Sequence, residues 1–147
     1  MGFLTGKTAI ITGAGRAVLK DGSCGSIGYG IATAYAKEGA NLVITGRNVK
    51  KLEAAKQELE SLYGIKVLTV QADVCAGGDN EATVANVVKQ AVDTFGGIQV
   101  LINNAQASAS GVPLAEHTTE QFDLAIYSGL YAAFYYMKAC YPSRAES

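Results

Sequence analysis

Short apolar runs alternate along this chain with longer stretches whose apolar residues recur at helical spacing. Thr8-Ala9-Ile10-Ile11-Thr12 is a continuous run of the kind a strand buried on both faces requires, and it leads straight into glycines. From Ile27 to Glu38 small and apolar residues follow a helical period, and Gly39 stands in the position where helices end in a left-handed residue. Asn41 to Thr45 predicts a second strand. Asn48 is placed to cap the next helix, in which Leu52, Ala55, Leu59 and Leu62 form one stripe before Gly64 stops it. Ile65 to Val70 predicts a third strand. Asp79 or Asn80 then opens a helix with Val84, Val87, Val88, Ala91 and Phe95 on one side, closed by Gly96-Gly97. Ile98 to Ile102 predicts the fourth strand. After a loop rich in Ala and Ser, Thr118 and Gln121 have the spacing of a capping box ahead of a long aromatic helix over residues 119–140.

Strands separated by helices of this length favour right-handed βαβ units and a parallel sheet. The expected architecture is α/β, the first half of a doubly wound sheet with strands in the order 3-2-1-4. No repeat, linker or low-complexity tract interrupts residues 1–147, so a single domain is expected. The one irregular insertion is residues 16–25.

Composition narrows the partners. An apolar fraction of 49% furnishes a core, and a formal net charge of −1 with both signs mixed gives no footprint for nucleic acid or a membrane surface. No stretch approaches the roughly 20 apolar residues of a membrane helix. Cys24, Cys75 and Cys140 are odd in number and far apart, which reads as reduced apolar residues rather than a disulfide framework. The start lacks a signal-peptide core, so the expected location is cytoplasmic. His117 has no Cys, Asp or second His at ligand spacing and reads as a loop residue rather than a metal ligand.

The chemistry begins at the end of the first strand. Thr12-Gly13-Ala14-Gly15 followed by a helix opening at Ser26-Ile27-Gly28 is an arrangement that brings main-chain N–H groups and a positive helix end to an anion. With 17 glycines in the chain, a pair of them in one turn is weak evidence, and a tight turn without a ligand is the bland alternative. Further pieces stand in order along the sequence. They are Ser-Ile-Gly-Tyr-Gly-Ile-Ala, Ala36-Lys37-Glu38-Gly39-Ala40, Ala72-Asp73-Val74 after the third strand, and Asn103-Asn104-Ala105 after the fourth. Together they resemble the short-chain dehydrogenase/reductase family over nearly the whole chain. The resemblance implies a Rossmann-type dinucleotide-binding domain whose cofactor contacts include Gly13, Gly15, Arg16, Ser26, Ile27, Gly28, Asp73, Val74, Asn103, Asn104 and Ala105. The insertion before Ser26 is similar to that of the enoyl-acyl-carrier-protein reductase branch, and Gln106 replaces the last glycine of the family's Asn-Asn-Ala-Gly.

Cofactor choice is read after the second strand. A carboxylate there would bond the ribose hydroxyls of NAD and repel a 2′-phosphate. This chain has Thr45-Gly46-Arg47-Asn48, with Gly46 where the carboxylate would stand and Arg47 offering a fork for a phosphate. Arg16 is a second candidate cation. NADP(H) is therefore favoured over NAD(H), with Arg47 and Asn48 in the contact set; a solvated helix-start arginine is the alternative.

The family's catalytic tyrosine, followed four residues later by a lysine, protonates or deprotonates the substrate oxygen as hydride moves. None of the eight tyrosines here has a lysine at that distance. The serine that would come from a fifth strand is absent too, and Gly129 aligns with a further catalytic asparagine. The expectation is a cofactor-binding portion, truncated before the Tyr-x-x-x-Lys, that binds dinucleotide and does not turn over. In a full-length relative the substrate would be a carbonyl, an alcohol or an activated alkene. A non-catalytic NADP(H)-binding or interaction module is the second reading, and a mononucleotide- or flavin-binding domain the third. Tyr127, Tyr131 and Tyr135, with Phe134 and Met137 beside them, read as core or as the face of a homo-oligomer formed through residues 119–140.

Overall fold

The computed structural model describes residues 2–73 and 80–143. Four strands, β1 (Thr8–Thr12), β2 (Asn41–Gly46), β3 (Val67–Gln71) and β4 (Val100–Ile102), form one parallel sheet in the order 3-2-1-4. This is the order expected from the alternation of elements. All five residues of β1 are buried because the strand is central and covered on both faces. Ala9 and Ile11 face a cluster built with α1 (Ile27–Lys37) and α2 (Val49–Tyr63). Ile10 faces the other cluster, built with α3 (Asn80–Phe95) and the C-terminal helix.

Helix ends obey local chemistry. The Ser26 side chain accepts from Tyr29 N–H at the start of α1, and Asn48 Oδ1 accepts from Lys51 N–H (3.1 Å) at the start of α2. Gly64 closes α2 in the left-handed conformation. Thr118 and Gln121 make the reciprocal capping box at the start of α4 (Thr119–Ile126).

Three details depart from the periodicity. Leu62 is exposed while Leu52, Ala55 and Leu59 are buried, because the last turn of α2 runs past the sheet it covers. The third and fourth strands begin two residues later than their apolar runs. Ile65 and Ile98 are buried, but as entry-turn residues; Ile98 N–H donates to Ser143 O (3.1 Å) instead of to a strand. The long aromatic helix is broken between α4 and α5 (Ala132–Cys140) by a π turn over Tyr127–Tyr131. Its cause is Ser128, whose buried hydroxyl lies 2.7 Å from Leu124 O and 2.9 Å from Ala107 O while accepting from Ala107 N–H (2.9 Å). A side chain competing for the i−4 carbonyl loosens the helical ladder at that turn.

Residues 16–25 fold back on themselves. Val18 bridges Cys24 in antiparallel fashion, Gly25 N–H donates to Ala17 O (2.7 Å), and the Asp21 carboxylate takes both the amide and the hydroxyl of Ser23.

Candidate functional site: a cleft at the carboxyl ends of the strands

The register aligns Thr12 with Thr45 and Gly46 with Gln71, so the carboxyl ends of β1, β2 and β3 open on one side of the sheet. At the end of β1 the chain turns through Gly13 at φ +69°, a conformation that disfavours any side chain. Ala14 N–H then reaches Thr45 O (3.0 Å) and Arg16 N–H reaches Lys51 O (2.9 Å), tying the loop to β2 and α2. The start of α1 presses on this turn. A Cβ at Gly28 would stand 2.1 Å from Gly13 O and 2.5 Å from Asn104 Nδ2, so the close approach admits only glycine.

The segment after β4 locks onto the same turn. The Asn104 carboxamide donates to Thr12 O (3.0 Å) and Gly13 O (3.2 Å). In return the Thr12 hydroxyl accepts from Asn104 N–H (3.0 Å) and Ala105 N–H (2.9 Å), and its own proton points to Ile102 O (3.4 Å). The Asn104 amino group and the Thr12 hydroxyl in this knot are occupied by the protein. Asn104 and Thr12 therefore fix the shape of the glycine turn. Thr12 was not among the candidate residues; a polar residue ending an otherwise apolar central strand was its only signal.

A cleft of ≈ 230 Å³ lies above this scaffold, and its walls include Gly13, Gly46, Arg47, Asp73, Asn104 and Ala105. No residue of the 16–25 hairpin lines it. A second cleft of ≈ 220 Å³ shares the Asn104–Gln106 wall and contains Asn103, Ser128, Gly129 and Tyr136. Gly15, Arg16, Ser26, Ile27, Gly28 and Asn48 do not line the first cleft. Gly15 lies close to Lys51, a Cβ there falling 3.0 Å from the lysine's own, and Ser26 and Gly28 form the head of α1. Ile27 is 76% exposed, and the Asn48 side-chain oxygen caps α2. Val74 lies outside the described residues.

The two candidate cations differ. Arg16 pairs through Nε with Glu58 on α2, and the carboxylate raises the guanidinium's proton affinity further. Glu58 in turn is held below the usual carboxylate range by the Tyr29 hydroxyl and by Arg16. The Arg16–Glu58 pair fastens the start of the hairpin to α2. Arg47 is exposed at the cleft wall and, among the described residues, makes no ion pair. Burial pushes the Tyr136 hydroxyl up to about 12 and the Cys140 thiol to about 11, keeping both neutral.

Comparison with known proteins agrees with this geometry. The short chain dehydrogenase family matches residues 7–147, and the chain belongs to that family. A 12α-hydroxysteroid dehydrogenase of Clostridium sp. is 59% identical over all of this chain and 54% of its own length. The structure of L-sorbose reductase from Gluconobacter frateurii, complexed with NADPH and L-sorbose, superposes with TM-score 0.80 at 30% identity, covering 95% of this chain and 48% of that one. An NADPH complex of a blue fluorescent protein from a metagenomic library gives TM-score 0.80 at 30% identity over 96% and 52% of the two chains. The chain thus spans about half the length of the relatives it matches.

Proposed function

We propose that this chain is the NADP(H)-holding portion of a short-chain dehydrogenase which, at full length, moves hydride between the nicotinamide and a hydroxyl-bearing or carbonyl carbon. A hydroxysteroid is the substrate class favoured by the 59% identity to a 12α-hydroxysteroid dehydrogenase. The observation that carries the cofactor reading is Arg47. It sits on the Gly46 turn at the wall of the cleft, without an acidic partner among the described residues, where a ribose-binding carboxylate would repel a 2′-phosphate. The donor set fits the group. Gly13, Gly15 and the head of α1 would face the diphosphate, Asp73 the adenine side, and Arg47 the 2′-phosphate. Bound there, the nicotinamide supplies the hydride chemistry, and these 147 residues bind and orient without the tyrosine and lysine that handle the substrate proton.

Titration of NADPH fluorescence tests this directly. NADPH is expected to bind more tightly than NADH, and Arg47→Ala to remove about tenfold of NADPH affinity while sparing NADH; a charge-assisted contact of about 1.5 kcal/mol has that size. Equal losses for both dinucleotides would defeat the 2′-phosphate assignment. Turnover of a 12-hydroxysteroid by these residues alone would overturn the non-catalytic part.

The same reading includes self-association. Leu130, Tyr131, Phe134 and Met137 are exposed along the π turn and α5, and Tyr127 stacks on Tyr131 with centroids 5.2 Å apart. A groove of ≈ 250 Å³ beside the outer edge of β4 exposes Val100, Leu101 and Tyr141. Apolar surface of this kind drives association. Sedimentation should find dimers or larger species, and Phe134→Glu with Met137→Glu should shift them toward monomer; a wild-type monomer would refute the prediction.

A further inference from the structure

Strand β3 and helix α2 pass each other with polar contacts at regular steps. Val67 N–H donates to Glu60 Oε1 (3.0 Å), Thr69 Oγ1 to Glu53 Oε1 (2.7 Å), and Gln71 Nε2 to the carbonyl oxygen of Arg47 (3.1 Å). Residues two apart on a strand share a face, so Thr69 and Gln71 both lie on the side that α2 covers. The first two contacts end on carboxylates and seat α2 on the edge of the sheet. The third ends on the main chain of the turn that carries Arg47. Gln71 therefore holds the peptide between Arg47 and Asn48, and with it the direction in which the arginine leaves the backbone.

The rest of that turn is fixed from other sides. Ala72 N–H donates to Gly46 O (3.0 Å) and Asn48 is committed to Lys51 N–H (3.1 Å). Gln71 fixes the Arg47 carbonyl as well. Gln71 itself does not line the cleft, whereas Arg47 does. A long, exposed side chain whose backbone is anchored loses less entropy on binding than one on a loose turn.

We propose that Gln71 is a positioning residue that aims Arg47 at the 2′-phosphate and so strengthens the preference for NADP(H) over NAD(H). This rests on the cofactor reading above, and the test separates the two. Affinities for NADPH and NADH are measured by fluorescence titration for the wild type, Gln71→Leu, Arg47→Ala and the double variant. Loss of one hydrogen bond predicts that Gln71→Leu weakens NADPH about fivefold and leaves NADH within about twofold. In the Arg47→Ala background the same substitution should change neither affinity, an outcome that a purely structural role for Gln71 would not give. Gln71→Ser makes the same comparison if leucine at this exposed edge aggregates. Equal weakening of both dinucleotides, or a fivefold NADPH loss that persists without Arg47, would overturn the role of Gln71 alone. Arg47→Ala that leaves the NADPH preference intact would overturn the cofactor reading and this inference together.

Discussion

Gly28→Ala is expected to destabilise the chain by about 3 kcal/mol, the range in which overpacking into rigid backbone falls, and to reduce NADPH affinity at least tenfold. The added methyl would stand 2.1 Å from Gly13 O, a main-chain atom that cannot rotate away, and 2.5 Å from the Asn104 carboxamide. Relief requires the head of α1 to move off the glycine turn, and that motion withdraws the helix N-terminus from the proposed diphosphate position. Urea unfolding should show a lowered midpoint with an unchanged slope. A control at Gly6 is informative: unlike Gly28 it sits at positive φ (+80°), and a Cβ there meets nothing within 4 Å. Gly6→Ala should therefore cost only backbone strain, about 1 kcal/mol, and leave NADPH binding intact. Wild-type stability in Gly28→Ala would mean that the close packing of α1 on the turn is not what shapes the site.

Much of this architecture was legible because it is periodic. A strand covered on both faces needs an apolar centre, and β1 has one in Ala9-Ile10-Ile11; α1, α2 and α3 each bury most of the stripe their sequence carries, Leu62 excepted. Caps are local, so Asn48 and the Thr118–Gln121 pair could be read from a few residues. What stayed hidden depends on partners distant in sequence. Arg16 is beside the glycines, yet its charge is claimed by Glu58, 42 residues away, on a helix whose acidic residues look like ordinary surface groups. The break at Tyr127–Tyr131 comes from one serine finding the Ala107 loop, and an aromatic stretch gives no warning of it. The likeness of the insertion to the enoyl reductase branch rested on its length and its closing motif. Its actual shape, a hairpin closed by Val18 and Cys24, is set by contacts within the segment and by Arg16.

Thr12→Val keeps the shape of the side chain and removes only the hydroxyl, and it is expected to cost about 1–3 kcal/mol. That hydroxyl is the acceptor for the amides of Asn104 and Ala105, at 3.0 and 2.9 Å, and it is buried with the rest of β1. Asn104 N–H keeps a second acceptor in Ile102 O (3.1 Å), but Ala105 N–H loses its partner, which away from water costs about 1–3 kcal/mol, and the valine methyl recovers little because the site is already filled. The loss should be local before it is global. Amide exchange at Asn104 and Ala105 should accelerate more than at the centre of β1, and NADPH affinity should fall because the Asn104 carboxamide no longer holds Gly13 O in place. Thr12→Ser restores the oxygen and should recover most of the stability and binding, losing only the buried methyl, about 1 kcal/mol. If valine proves as stable as threonine while serine does not, the methyl rather than the hydroxyl is what the turn requires, and the glycine loop is held by packing instead of by this pair of hydrogen bonds.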